Sequence, residues 1–176
     1  MMFEIKPMDA ELYRRQTRRN TLIIALVFIA LAMLLSTLAV QLFGQPGGDN
    51  LRCNIAGVLS GLLLTVLLVR YQWWPQPWMA ASVYGWQLKR SLMSITNVMH
   101  QVTAGVQVND PTAMKLLRFY HLGLTQMHEL DGNSSAQGQM AEEIDAHRAQ
   151  MQALGLDVEQ SRLDTDWLAA LKSLSA

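Results

Sequence analysis

Thr21 to Phe43 reads TLIIALVFIALAMLLSTLAVQLF, inside an uncharged stretch that runs from Asn20 to Gly48. Its twenty-three residues, at about 1.5 Å each, make roughly 34 Å of helix, enough to cross a hydrocarbon core of about 30 Å with some tilt. A second uncharged run, Cys53 to Val69 (CNIAGVLSGLLLTVLLV), is at the short end of the spanning range. Arg70 follows it and can snorkel outward, and Tyr71, Trp73, Trp74 and Trp78 suit the headgroup layer. Between the runs lies GQPGGDNL (44–51), where Gly and Pro punctuate a tight turn. So short a connection makes the two spans antiparallel neighbours. Gly57 and Gly61 form GxxxG, which lets another backbone approach closely. That backbone is either the first span, where Ala32 and Ser36 repeat the small-xxx-small spacing, or a second copy of the chain.

Orientation follows from the Lys/Arg bias of the flanks. Lys6, Arg14, Arg15, Arg18 and Arg19 precede the first span, the connection has Arg52 beside Asp49, and Arg70, Lys89 and Arg90 follow the second. The expected topology is N-in, C-in. Arg14, Arg15, Arg18 and Arg19, with Trp73, Trp74 and Trp78, are the expected interface anchors. Thr17–Leu22 has a twin-arginine look, but the apolar run is long for an export signal, no A-x-A-like site follows it and a second span comes after.

The remaining composition narrows the class. Of 176 residues, 51% are hydrophobic and 16% charged, and 14 Lys+Arg balance 14 Asp+Glu. Zero net charge argues against nucleic-acid binding through a basic surface and against disorder. Cys53 stands alone, so no internal disulfide or multi-cysteine metal site forms.

Past the second span, Pro75 and Pro77 break the helix and hinge the chain along the interface. Tyr84, Leu88, Leu92, Ile95, Met99, Val102 and Val106 then trace one long amphipathic helix. Asp110 and Pro111 start another, with Ala113, Leu117, Tyr120, Leu124 and Met127 on its stripe. A third opens at a Ser134/Gln137 capping box, carries Met140, Ile144, His147, Met151 and Leu154, and ends at Gly155 with Leu156 folding back. A short last helix near Asp164 holds Trp167, Leu168, Leu171 and Leu174. The stripes are narrow, close to a coiled-coil seam, and no segment alternates with period 2. The expected fold is all-α: a two-span transmembrane helical hairpin followed by a cytosolic antiparallel helical bundle. Its parts are a basic cytosolic segment (1–20), the hairpin (21–74, spans 21–43 and 53–70), an interfacial hinge (75–78) and the helical domain (79–176).

Chemistry is sparse. His121 and His128 share a helix face, and His100 on the preceding helix would complete a three-ligand metal site beside Glu129; HELDG, however, is not HExxH. Surface or packed histidines are the simpler reading, and His147 sits on its own helix's apolar stripe. The eleven methionines mostly fall on stripes, as core filler. Neither a nucleotide-binding glycine loop nor a GxSxG or CxxC motif is present, so no cofactor is expected. Residues 1–90 hold nine basic and four acidic residues, and 91–176 hold five and ten. The acidic distal half is either a solvated surface or a dock for a basic partner.

RRQTRRN (14–20), RYQWWPQPWM (70–79) and NDPTAMKLLRFYHLGL (109–124) resemble an uncharacterised family of small bacterial two-span membrane proteins, a domain of unknown function. The resemblance implies an inner-membrane location and a helical cytosolic domain, and transfers no activity. The function expected from the residues is an interaction or scaffold protein that contacts the lipid bilayer and associates with itself or another membrane or cytosolic protein. The alternatives are an accessory subunit of a transporter, or a membrane-surface enzyme or ligand-binding domain using His100, His121 and His128.

Overall fold

A computed structural model describes residues 3–173, apart from the side chains of 134–137, 139, 165, 172 and 173. The side chains of Ser134 and Gln137, and Leu174 altogether, therefore lie outside the described residues. The chain divides into two compact units, residues 15–83 and residues 1–14 with 84–176.

Helix α1 runs Ala10–Phe43, eleven residues ahead of the start expected at Thr21. Asp9 caps it, its carboxylate accepting from the Leu12 amide at 2.7 Å. Ala, Glu, Leu, Arg and Gln between Ala10 and Arg19 are strong helix formers, so the basic segment joins the apolar helix without a break. In the turn after it, Asn50 Oδ1 accepts from the Gln45 amide at 2.9 Å, and Gly47 takes φ 73°, where a side chain would be strained. Helix α2 (Leu51–Leu67) continues into a π turn, Leu68–Trp73, so its helical run is longer than the 53–70 read from sequence.

Large side chains in this pair point outward: Leu22, Met33, Leu42, Leu59 and Leu63 are all exposed. Only 6% of the most apolar stretch of α1 is buried, the reverse of a soluble core helix. Both α1 and the Leu51–Trp73 helix are long and apolar enough to cross a membrane. Gly57, Gly61 and Thr65 are the buried residues of α2. A Cβ on Gly61 would lie 2.8 Å from Ala32 Cα, and one on Gly57 would overlap the Ser36 backbone. The glycines therefore let α2 touch α1 backbone to backbone, which replaces large-side-chain packing with close dispersion contact. Ser36 Oγ donates to Asn54 Oδ1 at 2.9 Å beside this seam. Asn20, 1% exposed, donates through Nδ2 to the Trp78 carbonyl (3.0 Å) and Ser82 Oγ (2.9 Å).

The second unit is helical with one short strand pair. Helix α3 (Ala80–Thr96) and helix α4 (Met99–Gln107) replace the single long helix expected from the stripe. The apolar phase carries across the break, with Leu92, Ile95, Val98 and Val102 all buried, which hides it from periodicity. Near the break, Thr96 Oγ1 donates to the Leu92 carbonyl and Ser94 Oγ to the Ser91 carbonyl. Such bonds compete with regular helix geometry.

Helix α5 (Pro111–Asp131) is the centre of this unit. Ala113, Met114, Leu116, Leu117 and Phe119 are all buried, so its first half is covered on several faces rather than along the narrow seam expected. Asp110 Oδ2 accepts from the Ala113 amide at 2.8 Å. Asp110→Ala should destabilise this unit by about 1 kcal/mol in urea unfolding, and Asp110→Asn should retain most of the cap; equal midpoints for Ala and wild type would remove the cap's role. Gly132, at φ 74°, ends α5 with Asn133 N–H on the His128 carbonyl. Helix α6 (Ser134–Ala153) ends the same way at Gly155, with Leu156 N–H on the Met151 carbonyl at 3.0 Å. Helix α7 (Thr165–Ser173) closes the described chain and buries Leu171.

The all-α expectation misses one element. Strand β1 (Phe3–Glu4) pairs antiparallel with strand β2 (Arg162–Leu163). Arg162 Nε meets Glu4 Oε1 at 2.9 Å, and Phe3 packs edge-on against Phe119, centroids 6.4 Å apart. Residues 3–6 are thus part of this unit's packing, not a free basic tail; Lys6 N–H donates to Tyr84 Oη, which in turn donates to Gln126.

Candidate functional site

The most unusual chemistry among the described residues lies between α5 and α6. Met114, Arg118 and His121 recur at i, i+4 and i+7, one face of α5. His147 comes from α6. Arg118, His121 and His147 are 5%, 1% and 5% exposed. The two imidazoles stand nearly perpendicular, centroids 5.4 Å apart. His147 Nε2 lies 3.1 Å from the Met114 carbonyl; a carbonyl only accepts, so this nitrogen carries the proton and donates. Arg118 Nε donates to the Val158 carbonyl at 2.8 Å. Arg118 Nη1 and the Nδ1 atoms of both histidines have no hydrogen-bond partner among the described residues.

Electrostatics follow from burial. Burial, then His147 and then Arg118, lowers the His121 pKa to about 4. Burial lowers that of His147 as well, against the opposing effect of its hydrogen bond to the Met114 carbonyl. Burial also lowers that of Arg118, with Arg148 adding repulsion. Both imidazoles are therefore neutral at pH 7, next to a buried guanidinium. Glu143, on the exposed side of α6, brings Oε1 within 4.0 Å of His121 Nε2. The cluster presents no exposed reacting atom; what it does is tie α6 to α5 through groups that resist protonation.

The other residues read from sequence are distributed differently. His100 and Glu129 are exposed and His128 is partly exposed. Among the described residues no three His, Cys, Asp or Glu side chains converge as a metal site, so His100, His121 and His128 are not assembled into one. His121 meets His147 of α6 instead. That pairing joins residues twenty-six apart and has no local sequence signal; only the position of His147 on an apolar stripe hinted at it.

Arg14 is engaged within the helical unit. Its guanidinium donates to the Glu129 and Leu130 carbonyls at 3.2 and 3.3 Å, at the C-terminal end of α5, where a cation complements the helix dipole. Arg14→Ala should cost about 1 kcal/mol in a denaturant midpoint, while Arg15→Ala, on an exposed side chain, should stay within about 0.5 kcal/mol. Indistinguishable midpoints would contradict the capping role. Arg15, Arg18 and Arg19 are exposed. Trp73 packs on Trp78 with centroids 5.4 Å apart, and Arg70 lies over Trp74 at 5.5 Å. Gly57 and Gly61 both meet α1 of the same chain.

These features define a helical protein with two helices long and apolar enough to cross a membrane and a second compact unit that holds the strand pair. The chain belongs to the family described as Protein of unknown function (DUF3087), whose profile matches residues 3–168. No curated protein matches it, and no solved structure does.

Proposed function

We propose that this chain is a non-enzymatic interaction protein of the inner membrane, with α1 and α2 crossing the bilayer as a hairpin and the helical unit binding another protein on the cytosolic side. The observation that supports the reading is the strand pair: Phe3–Glu4 against Arg162–Leu163 joins the segment before α1 to the segment after α2, as a hairpin with both flanks on one side requires. Arg15, Arg18, Arg19, Arg70, Lys89 and Arg90 flank the pair at that side, against Arg52 at the other. The positive-inside rule makes it the cytosol.

An interaction role is supported by one face of α3. Trp86 is 48% and Met93 65% exposed, at i and i+7, and Arg90 between them lies 5.1 Å from the Trp86 ring. Trp and Arg are the side chains that most often dominate binding energy at interfaces. The Gly57/Gly61 seam is filled by α1, so association within the bilayer needs another surface. A photo-cross-linking residue at Met93 of the full-length protein in intact cells tests the reading. A discrete adduct that disappears with Trp86→Ala supports it; monomer alone, or an adduct indifferent to Trp86→Ala, opposes it.

A further inference from the structure

The pair α1–α2 carries a groove of about 520 Å³ within residues 15–83. Ala25 and Phe28 of α1 face Leu62 and Val66 of α2 across it, and Arg70 and Trp74 close one end. Arg18 stands on the same face of α1, one turn before Thr21, which also lines the groove. The groove is thus apolar along its length, with the stem of Arg70 at one end and its guanidinium 5.5 Å from the Trp74 ring beside it.

A backbone irregularity produces that end. An α-helix returns to the same face after about eleven residues, so a regular α2 would bring Trp73 under Leu62. The π turn at Leu68–Trp73, with Trp74 N–H on the Val69 carbonyl at 2.8 Å, adds a residue. Trp74 lines the groove instead, and Trp73 turns to Trp78. π turns are rare and concentrate at functional sites. The charges there are also unbalanced: between residues 15 and 83 the single carboxylate is Asp49, in the connection at the opposite end of the pair.

We infer that this groove binds one anionic phospholipid, its acyl chain lying between Ala25–Phe28 and Leu62–Val66 and its phosphate on Arg70 and Arg18. The inference rests on the membrane-spanning reading above. A helix from a second copy fits less well, because a symmetric pairing along this face would bring like guanidinium groups together without a counter-ion.

Full-length protein extracted from carbonate-washed membranes and held in a neutral detergent provides the test. It is presented with equal amounts of dioleoyl phosphatidylglycerol and dioleoyl phosphatidylcholine, and the adducts are read by native mass spectrometry. The expected result is a phosphatidylglycerol adduct in clear excess that inorganic phosphate does not displace. Arg70→Gln and Arg18→Gln should each weaken it about fivefold, the effect of one basic residue near an anionic surface. Ala25→Phe should abolish it with both arginines in place, and Arg52→Gln should leave it intact. Equal adducts of the two lipids, full binding by the Arg18→Gln/Arg70→Gln variant, or a lipid-free dimer would overturn the inference while leaving the membrane reading in place. Protein released by the carbonate wash overturns both.

Discussion

Acidification from pH 7 to pH 4 should remove roughly 3 kcal/mol of stability from the helical unit through His121 alone. The unfolded imidazole titrates near 6.5, and burial beside His147 and Arg118 holds the folded one at about 4. A depressed imidazole pKa means that the folded state favours the neutral form. Its stabilising contribution is complete above pH 6.5 and falls by about 1.4 kcal/mol per pH unit until the folded pKa is reached. His147, with its pKa lowered in the same direction, adds to the loss. Glu143, 4.0 Å from His121 Nε2 and largely in solvent, offsets little of it. Denaturant midpoints at pH 7, 6 and 5, above the range where most carboxylates titrate, isolate the effect. His121→Gln, which cannot charge, should flatten the slope; a variant as acid-sensitive as wild type would show that the cluster is not its source.

A side chain at Gly57 should be the most damaging single change in the apolar pair. Even an alanine Cβ would overlap the Ser36 Cα and N and stand 2.8 Å from the Leu35 carbonyl carbon. Backbone cannot rotate away as a side chain can, so the two helices must separate, and the dispersion contact along the seam is lost with them. Gly57→Ile should cost about 1–3 kcal/mol, with Gly57→Ala at the lower end. Gly61→Ala, with its nearest contacts at 2.8 Å, should cost less. Gly138 lies within α6 with no described atom within 4 Å of its Cβ position and a φ outside the left-handed region, so Gly138→Ala, which favours helix, is a control that should not destabilise. Thermal unfolding in detergent measures all four; a Gly57→Ile protein that melts with wild type would make the GxxxG incidental.

The two long apolar helices were legible because they are apolar on nearly every face, and composition alone records that. The Gly57/Gly61 seam was legible as a motif but not as a contact, since small residues at Ala32 and Ser36 and a second copy satisfy the same spacing. The strand pair left no trace: two residues at Phe3–Glu4 cannot display a period. The break at Asn97–Val98 was masked by a stripe that keeps its phase across it, and the start of α1 at Ala10 by polar residues that are good helix formers. The buried cluster escaped for a different reason. Sequence spacing relates residues on one helix, and it grouped His121 with His128; the contact with His147 exists only once α6 lies on α5. Nothing local in the sequence separates Arg14 from Arg15, yet the Arg14 guanidinium bonds to carbonyls at the end of α5.

Site-directed labelling of the full-length protein in intact cells tests the membrane hairpin most directly. With Cys53→Ser as background, Gly48→Cys lies in the connection between the apolar helices and Met93→Cys lies on the exposed face of α3. A membrane-impermeant maleimide added outside should label Gly48→Cys and leave Met93→Cys unreacted until the membrane is opened. Labelling of Met93→Cys in intact cells with Gly48→Cys protected, or reaction of both from one side, would contradict the topology on which the proposed function stands.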